Sequence, residues 1–411
     1  MKVGWQTKTL AEVCQIKPPK SEVRRIVTES DLVSFAPMED LGIDQKFLVA
    51  TRSRPLAEVA GSYTYFADGD VLLAKITPCF ENGKLGIAAD LTNGIGFGSS
   101  EYIVFRPDTS VDKEWLYYFL SRESFRVEGA ERMSGAVGHK RVAKDFIDSC
   151  PIPVPSLPEQ QRIVGILDQA FDGIATAKTN AEKNLQNARA LFESHLQSVF
   201  TQRGEGWAET SLDELCNIRH GYAFEGSDFS NDVPKGNPLV ITPGNFTEDG
   251  KLLFNEKNTK RFSGSTPAGF LFDVGDLVVV MTDLSSKMKI LGKPAFIETD
   301  GVLHNQRIGR VVFLNDRVEK RLLYYFMMSE GFLKNIKLSA TGTMVKHTAP
   351  KRILSNVILF PENRKEQRTI ISKLDNIREE TQRLESLYQR KLAALAALKQ
   401  SLLHQAFSGQ L

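Results

Sequence analysis

The chain has 411 residues, and 52 lysines and arginines against 50 aspartates and glutamates leave a formal charge of +2. That length suggests two or three domains at about 150 residues each, and 42% hydrophobic and 25% charged residues is ordinary for a globular protein. The balance lacks the basic excess usual in nucleic-acid binders, no run of about 18 apolar residues suggests a membrane span, and Met1-Lys2-Val3-Gly4-Trp5 opens no apolar export core, so a cytoplasmic location is expected.

Residues 1–157 read as a mixed α/β module. Short β-branched and aromatic runs bounded by Gly, Pro, Asn and Asp predict strands at Asp70–Ile76 and Tyr102–Phe105. Gly94-Ile95-Gly96-Phe97-Gly98 superficially resembles a nucleotide loop. It lacks the GxGxxG spacing and runs into a strand, where such a loop must open a helix. Trp115–Ser121 reads as a helix whose aromatics pack a core.

Residues 158–202 change in kind. Apolar residues recur by threes and fours at Ile163, Leu167, Ala170, Ile174, Ala177, Ala181, Leu185, Ala188, Phe192, Leu196 and Val199. So sustained a seam predicts a long helix in a coiled coil, and Pro158 and Glu159 suit its first turn. Arg203-Gly204-Glu205-Gly206 ends it. Residues 203–361 read as a second α/β module, with strands at Asp276–Met281 and Ile308–Leu314 and an aromatic helix at Arg321–Met328. Residues 362–411 hold a second long helix, its seam running through Ile370, Leu374, Ile377, Leu384, Leu387, Leu395, Leu398 and Leu402.

The halves repeat each other. Trp5, Leu10, Glu12, Cys14 and Ile16 recur as Trp207, Leu212, Glu214, Cys216 and Ile218. Gly69-Asp70 recurs as Gly275-Asp276, Glu159-Gln160 as Glu366-Gln367, and Leu167-Asp168 as Leu374-Asp375. Ser194, Leu196 and Phe200 recur as Ser401, Leu403 and Phe407, and the offset stays between 202 and 207 throughout. A period this long means two whole modules, not a solenoid. The simplest closure pairs the two helices antiparallel, relating the modules by a pseudo-twofold axis.

Chemistry is scarce. Cys14, Cys79, Cys150 and Cys216 form no CxxC and read as reduced thiols. The six histidines form no HxxxH or HxH pair, so no zinc site is expected. No GxSxG, HExxH or paired acid–base carboxylates stand out, and the chain reads as catalytically silent.

Duplicated modules, each followed by a long helix, carry further motifs: Pro155-Ser-Leu-Pro-Glu159-Gln160-Gln-Arg162-Ile163-Val164, and Pro361-Glu-Asn-Arg-Lys-Glu366-Gln367-Arg-Thr-Ile370-Ile371 with one extra residue. With Gly69-Asp70, Ile76–Lys84 and the closing Gln400–Leu411 segment, the whole chain resembles the specificity subunits of type I restriction–modification systems. The resemblance implies two α/β (α+β) target recognition domains, each reading half of a bipartite asymmetric target in double-stranded DNA. Two long helices forming an antiparallel coiled coil would separate them, set the spacer and dock two methyltransferase subunits. It implies a non-catalytic chain without cofactor. S-adenosylmethionine and ATP with magnesium would sit on partner methyltransferase and restriction subunits, the former methylating adenine at N6. A bivalent coiled-coil protein-binding adaptor without DNA specificity is the other reading.

The modules agree where scaffolding is expected and differ in two loops. The first carries Lys75, Thr77, Glu81, Asn82 and Lys84, then Ser99-Ser100-Glu101. Its counterpart carries Thr282, Asp283, Ser285, Lys287 and Lys289, then Asn305, Gln306 and Arg307. Such side chains can read base edges, and unlike loops on like scaffolds should read unlike half-sites. A second strip precedes each long helix. Ser134–Lys144 includes Val137, His139, Lys140, Arg141 and Lys144, and Thr341–His347 includes Thr343, Lys346 and His347. Small and basic residues there suit backbone approach to phosphate. Residues 1–157 hold 19 basic and 21 acidic side chains, and residues 203–361 hold 20 and 18. Any DNA contact must therefore concentrate basic groups on one face and draw on partner subunits.

Overall fold

The computed structural model describes residues 4–136, 138–202, 204–225, 229–230, 236–265 and 268–411. Met1–Val3, Val137 and Arg203 of the sequence reading lie outside the described residues. The chain divides into two units: residues 1–182 with 390–411, and residues 183–389.

In the first unit the uniformly apolar run after Gly69 becomes a strand buried along its length, Val71–Ala74. It sits inside an antiparallel sheet in the order Cys14–Ile16, Tyr102–Pro107, Val71–Ala74, Leu85–Ile87. A second sheet runs Arg52–Pro55, Leu32–Ala36, Ile95–Gly98, Thr64–Ala67, its middle pair parallel. The Gly94–Gly98 motif is thus strand and turn, and its glycines serve packing. A Cβ on Gly96 would lie 2.1 Å from Phe66, and one on Gly98 2.3 Å from the Ala36 carbonyl.

The second unit repeats the plan. Leu277–Val280 is the buried strand, in the order Cys216–His220, Ile308–Phe313, Leu277–Val280, Pro294–Phe296. The second sheet keeps its parallel pair, here Leu239–Val240 with Val302–Leu303.

The repeated Gly-Asp has a geometric cause. Gly69 and Gly275 both turn the chain at φ +88°, a conformation that glycine takes without penalty. The following carboxylate then closes the turn, Asp70 accepting from Ala67 N–H (2.8 Å) and Asp276 from Asp273 N–H (2.9 Å). Each also holds an arginine of the neighbouring strand. Arg106 forks onto the buried Asp70 at 2.7 and 2.8 Å, and Arg310 reaches Asp276 at 2.8 Å. By strand pairing Arg310 matches Val104, two positions from Arg106, so both arginines share a sheet face.

The aromatic helices are core, as their spacing predicts: Lys113–Leu120 buries Trp115 through Leu120, and Lys320–Met328 buries Leu322 through Met327. The long helices span Leu157–Thr201 and Arg364–Ser408. Every seam residue predicted on the first is buried or half-buried. In the first unit Ile163 and Leu167 share a core with Leu403 and Phe407. There Arg162 donates to the Leu411 carbonyl while Lys399 lies over Phe171. In the second unit Leu196 shares a core with Leu374, and Arg189 pairs with Glu385 at 3.2 Å. Numbers rise along one helix as they fall along the other, so the pairing is antiparallel in both units.

Two seam residues on the second long helix need correction. Leu387 and Leu398 are 45% and 47% exposed. At 3.6 residues per turn they fall about 140° and 120° round the helix from Leu374. Thr381, one heptad after Leu374, is buried in their stead. Among the described residues no helix is long and apolar enough to cross a membrane.

Candidate nucleic-acid interface

The two strips that differ between modules are far apart in sequence and adjacent in the fold. In the first unit Arg141 and Ser134 exchange backbone hydrogen bonds (2.8 and 3.0 Å), closing a hairpin whose turn begins with Gly135 at φ +125°. Arg141 also bridges Ile76, and Thr77 N–H donates to the Lys140 carbonyl at 2.9 Å. In the second unit His347 and Thr341 exchange the same pair (2.9 and 3.0 Å) around Gly342 at φ +97°. A Cβ on Gly342 would meet the Val345 carbonyl at 2.0 Å, which explains the glycine. Thr282 and Asp283 pair with His347 and Lys346.

A third segment joins each cluster. Lys75 N–H donates to the Glu101 carbonyl (2.9 Å) and Val142 N–H to the Lys75 carbonyl (3.0 Å). Met281 N–H donates to the Arg307 carbonyl and Thr348 N–H to the Met281 carbonyl, both at 2.9 Å. The candidates of each module therefore stand on one main-chain frame.

Their side chains divide sharply. Several are engaged within the protein. Lys75 donates to the Ser100 carbonyl, Lys84 to the Met38 carbonyl, and Thr77 to Glu81. Ser99 accepts from Glu101 N–H, and Lys144 pairs with Asp148 one helical turn on. Arg141 grips Glu101 with two bonds of 2.9 and 2.7 Å. In the second unit Asp283, 3% exposed, closes its own loop by accepting from Ser285 and Ile290 N–H. Asn305 accepts from Arg307 N–H, Thr282 meets His347 Nδ1 at 3.1 Å, and Ser285 accepts from Lys287 N–H. Lys289 pairs with Glu248, and Lys346 donates to the Gly342 carbonyl.

The others are exposed, with no side-chain hydrogen bond or ion pair among the described residues: Asn82, Ser100, His139 and Lys140 in the first unit, Lys287, Gln306, Arg307 and Thr343 in the second. Glu101 escaped the residue-by-residue reading, although its register against Arg307 could have singled it out.

A cleft of about 710 Å³ in the first unit brings Lys75, Ser100 and Lys144 together with Lys17, Tyr63 and Tyr102. Burial lowers the Lys75 pKa against the opposing pull of Glu101. The Arg141 hydrogen bonds hold Glu101 below the usual carboxylate range. Among the described residues no group of three His, Cys, Asp or Glu could hold a metal ion. Cys14, Cys150 and Cys216 are buried free thiols, and desolvation pushes Cys14 and Cys216 up to about 12.

Beneath the second frame His304 is 3% exposed, and its Nε2 lies 2.8 Å from the Ile308 carbonyl. Burial pushes its pKa down to about 4. Between about pH 6.5 and 4 the unfolded chain then binds a proton that the native chain refuses, so stability falls as pH falls through that window. The loss should reach about 3 kcal/mol at pH 4. Urea titrations from pH 7 to 4.5 should give a steeper pH slope for the wild type than for His304→Gln; equal slopes would exclude the assignment.

Comparison with known proteins fits this two-fold plan. Residues 2–186 and 204–391 each match the type I restriction modification DNA specificity domain. The chain is 36% identical over 214 residues to the type I restriction enzyme EcoAI specificity subunit of Escherichia coli, covering 52% of this chain and 34% of that protein. It is 33% identical over 214 residues to the Escherichia coli EcoEI specificity subunit, covering 51% and 35%. The match thus spans about a third of the length of these two relatives. The MjaVIII specificity subunit of Methanocaldococcus jannaschii is 26% identical over 284 residues, covering 65% and 64%. In fold, the chain resembles one from a type I R-M system solved for its complex assembly and conformational transition, with TM-score 0.77, 18% identity, and 100% and 99% coverage. It also resembles the HsdS subunit from Thermoanaerobacter tengcongensis, with TM-score 0.62, 18% identity, and 100% and 98% coverage. With two matched domains covering most of its length, the chain belongs to the type I restriction modification DNA specificity domain family.

Proposed function

We propose that the chain is the non-catalytic, DNA-reading subunit of a type I restriction–modification complex. One observation carries this: two equivalent main-chain frames present unlike sets of polar and basic side chains. Residues 1–157 and 203–361 are target recognition domains for the two parts of an asymmetric site. Residues 158–202 and 362–411 set the spacer and dock two methyltransferase subunits. Those subunits bring S-adenosylmethionine, and restriction subunits bring ATP and magnesium. The complex works in the cytoplasm. Base reading falls to side chains that keep a donor or acceptor open toward solvent, because a hydrogen bond already made within the protein must be broken before a base can use that atom's bonding capacity.

Co-expression with the neighbouring genes, followed by mapping of methylated adenines in host DNA, tests the reading. The expected outcome is one bipartite, asymmetric motif. A palindromic motif, or none, would overturn it. Lys140, exposed and without a side-chain partner among the described residues, is assigned to phosphate. Lys140→Ala should weaken binding alike on all sequences and reduce the salt slope by about 1. A changed motif at undiminished affinity would refute that role.

A further inference from the structure

The two frames can be compared position by position. Residue 75 corresponds to 281, residue 101 to 307 and residue 141 to 347, because the same main-chain bonds join them. All three side chains differ: Lys75, Glu101 and Arg141 face Met281, Arg307 and His347. At the central position the charge is reversed.

The surroundings of that position differ too. Glu101 has two cationic neighbours, the bidentate Arg141 and Lys75 Nζ at 3.9 Å. Arg307 has no side-chain partner among the described residues, while its main chain is fixed from both sides. Its N–H donates to Asn305 Oδ1 at 3.0 Å, and its carbonyl accepts from Met281. His347, which stands where Arg141 stands, is turned to Thr282 instead. A free guanidinium on a fixed backbone offers the two parallel donors that match guanine O6 and N7 in the major groove. A carboxylate can accept about four hydrogen bonds. Arg141 takes one on each oxygen of Glu101, orients the group, and leaves capacity for a donor. The amino group of cytosine is the matching donor.

We propose that 101 and 307 are equivalent specificity-determining positions: Arg307 reads a guanine in one half-site, and Glu101, oriented by Arg141, reads a cytosine in the other. This rests on the DNA-reading function proposed above. It assigns base identity to one position of each module, and the half-sites then differ because one frame carries opposite charges.

The test uses the full chain co-expressed with its neighbouring genes, the resulting complex being selected on a randomised DNA duplex pool at fixed salt. Wild type should select a bipartite motif. Arg307→Ala should lose roughly 10- to 100-fold of preference for one G·C pair in one half-site and leave the other half-site intact. Glu101→Gln should lose a C·G preference in the opposite half-site only. The retained half-site in each variant reports that the protein is folded. A wild-type motif that survives both substitutions unchanged, or that weakens evenly at all positions, would overturn the base assignments and leave the DNA-reading function standing. A wild type that selects no sequence would overturn both.

Discussion

Phe407→Ala will destabilise the first module, although the residue sits on the second long helix. The ring is 7% exposed and centres 4.3 Å from Trp115 and 5.4 Å from Phe119. It belongs to the same core as Ile163, Leu167 and Leu403. Removing a buried phenyl from so tight a cluster leaves a cavity that large aromatic neighbours cannot close, at a cost of about 3–5 kcal/mol. Hydrogen exchange should show the loss in the helix Lys113–Leu120 and the strands beside it, with little change in residues 183–389. Loss of protection confined to residues 390–411 would show that the ring merely caps its own helix. The repeat supplies a graded control. Phe200, the equivalent residue, is only partly buried, 5.5 Å from Phe326. Its alanine variant should cost less, about 1–3 kcal/mol, and in the second unit.

The second large effect belongs to Gln160 and Gln367, both 0% exposed. Gln160 accepts from Asp112 N–H at 2.8 Å and donates to the Ser110 and Pro155 carbonyls at 2.9 and 2.8 Å. Gln367 makes the same three bonds, accepting from Glu319 N–H and donating to the Arg317 and Pro361 carbonyls, all at 2.8 Å. One amide thus fastens the start of each long helix to the edge of the aromatic helix and to the last strand. Leucine has similar bulk and none of the bonds, so it strands one donor and two acceptors away from water. Either Gln→Leu variant should lose about 3 kcal/mol, read as a lower denaturant midpoint. A loss below about 0.5 kcal/mol would mean that water replaces the amide and that the clamp is incidental.

These glutamines mark how far the sequence could be read. The repeat flags Glu159-Gln160 and Glu366-Gln367, and helix rules assign the glutamates to a first turn. The neighbouring glutamines look like solvated polar residues on any hydropathy pattern. Burial becomes visible only when the strand and the aromatic helix close over them. The central strands, the aromatic helices and the seam of the first long helix were legible because apolar periodicity reports which face is buried. Asp283 and Asn305 were not, since a carboxylate or amide that closes a loop has the same composition as one that contacts a base. The Glu101–Arg141 grip was hidden for a related reason: forty residues separate partners that only the main-chain frame brings together. Leu387 and Leu398 failed differently, as a heptad count tolerates a slip that the helical angle does not.

The frame beneath the candidate interface is tied by N–H and C=O groups, which every residue but proline supplies in full. Outside buried or conformationally fixed positions such as Asp283, Asn305 and Gly342, its stability is therefore nearly independent of the side chains mounted on it. Exposed positions such as 307, 287 and 343 can change identity for about 0.5 kcal/mol or less. A surface of this kind uncouples what the molecule reads from whether it folds. Single substitutions at these exposed positions can then alter the reading one position at a time while the fold is kept.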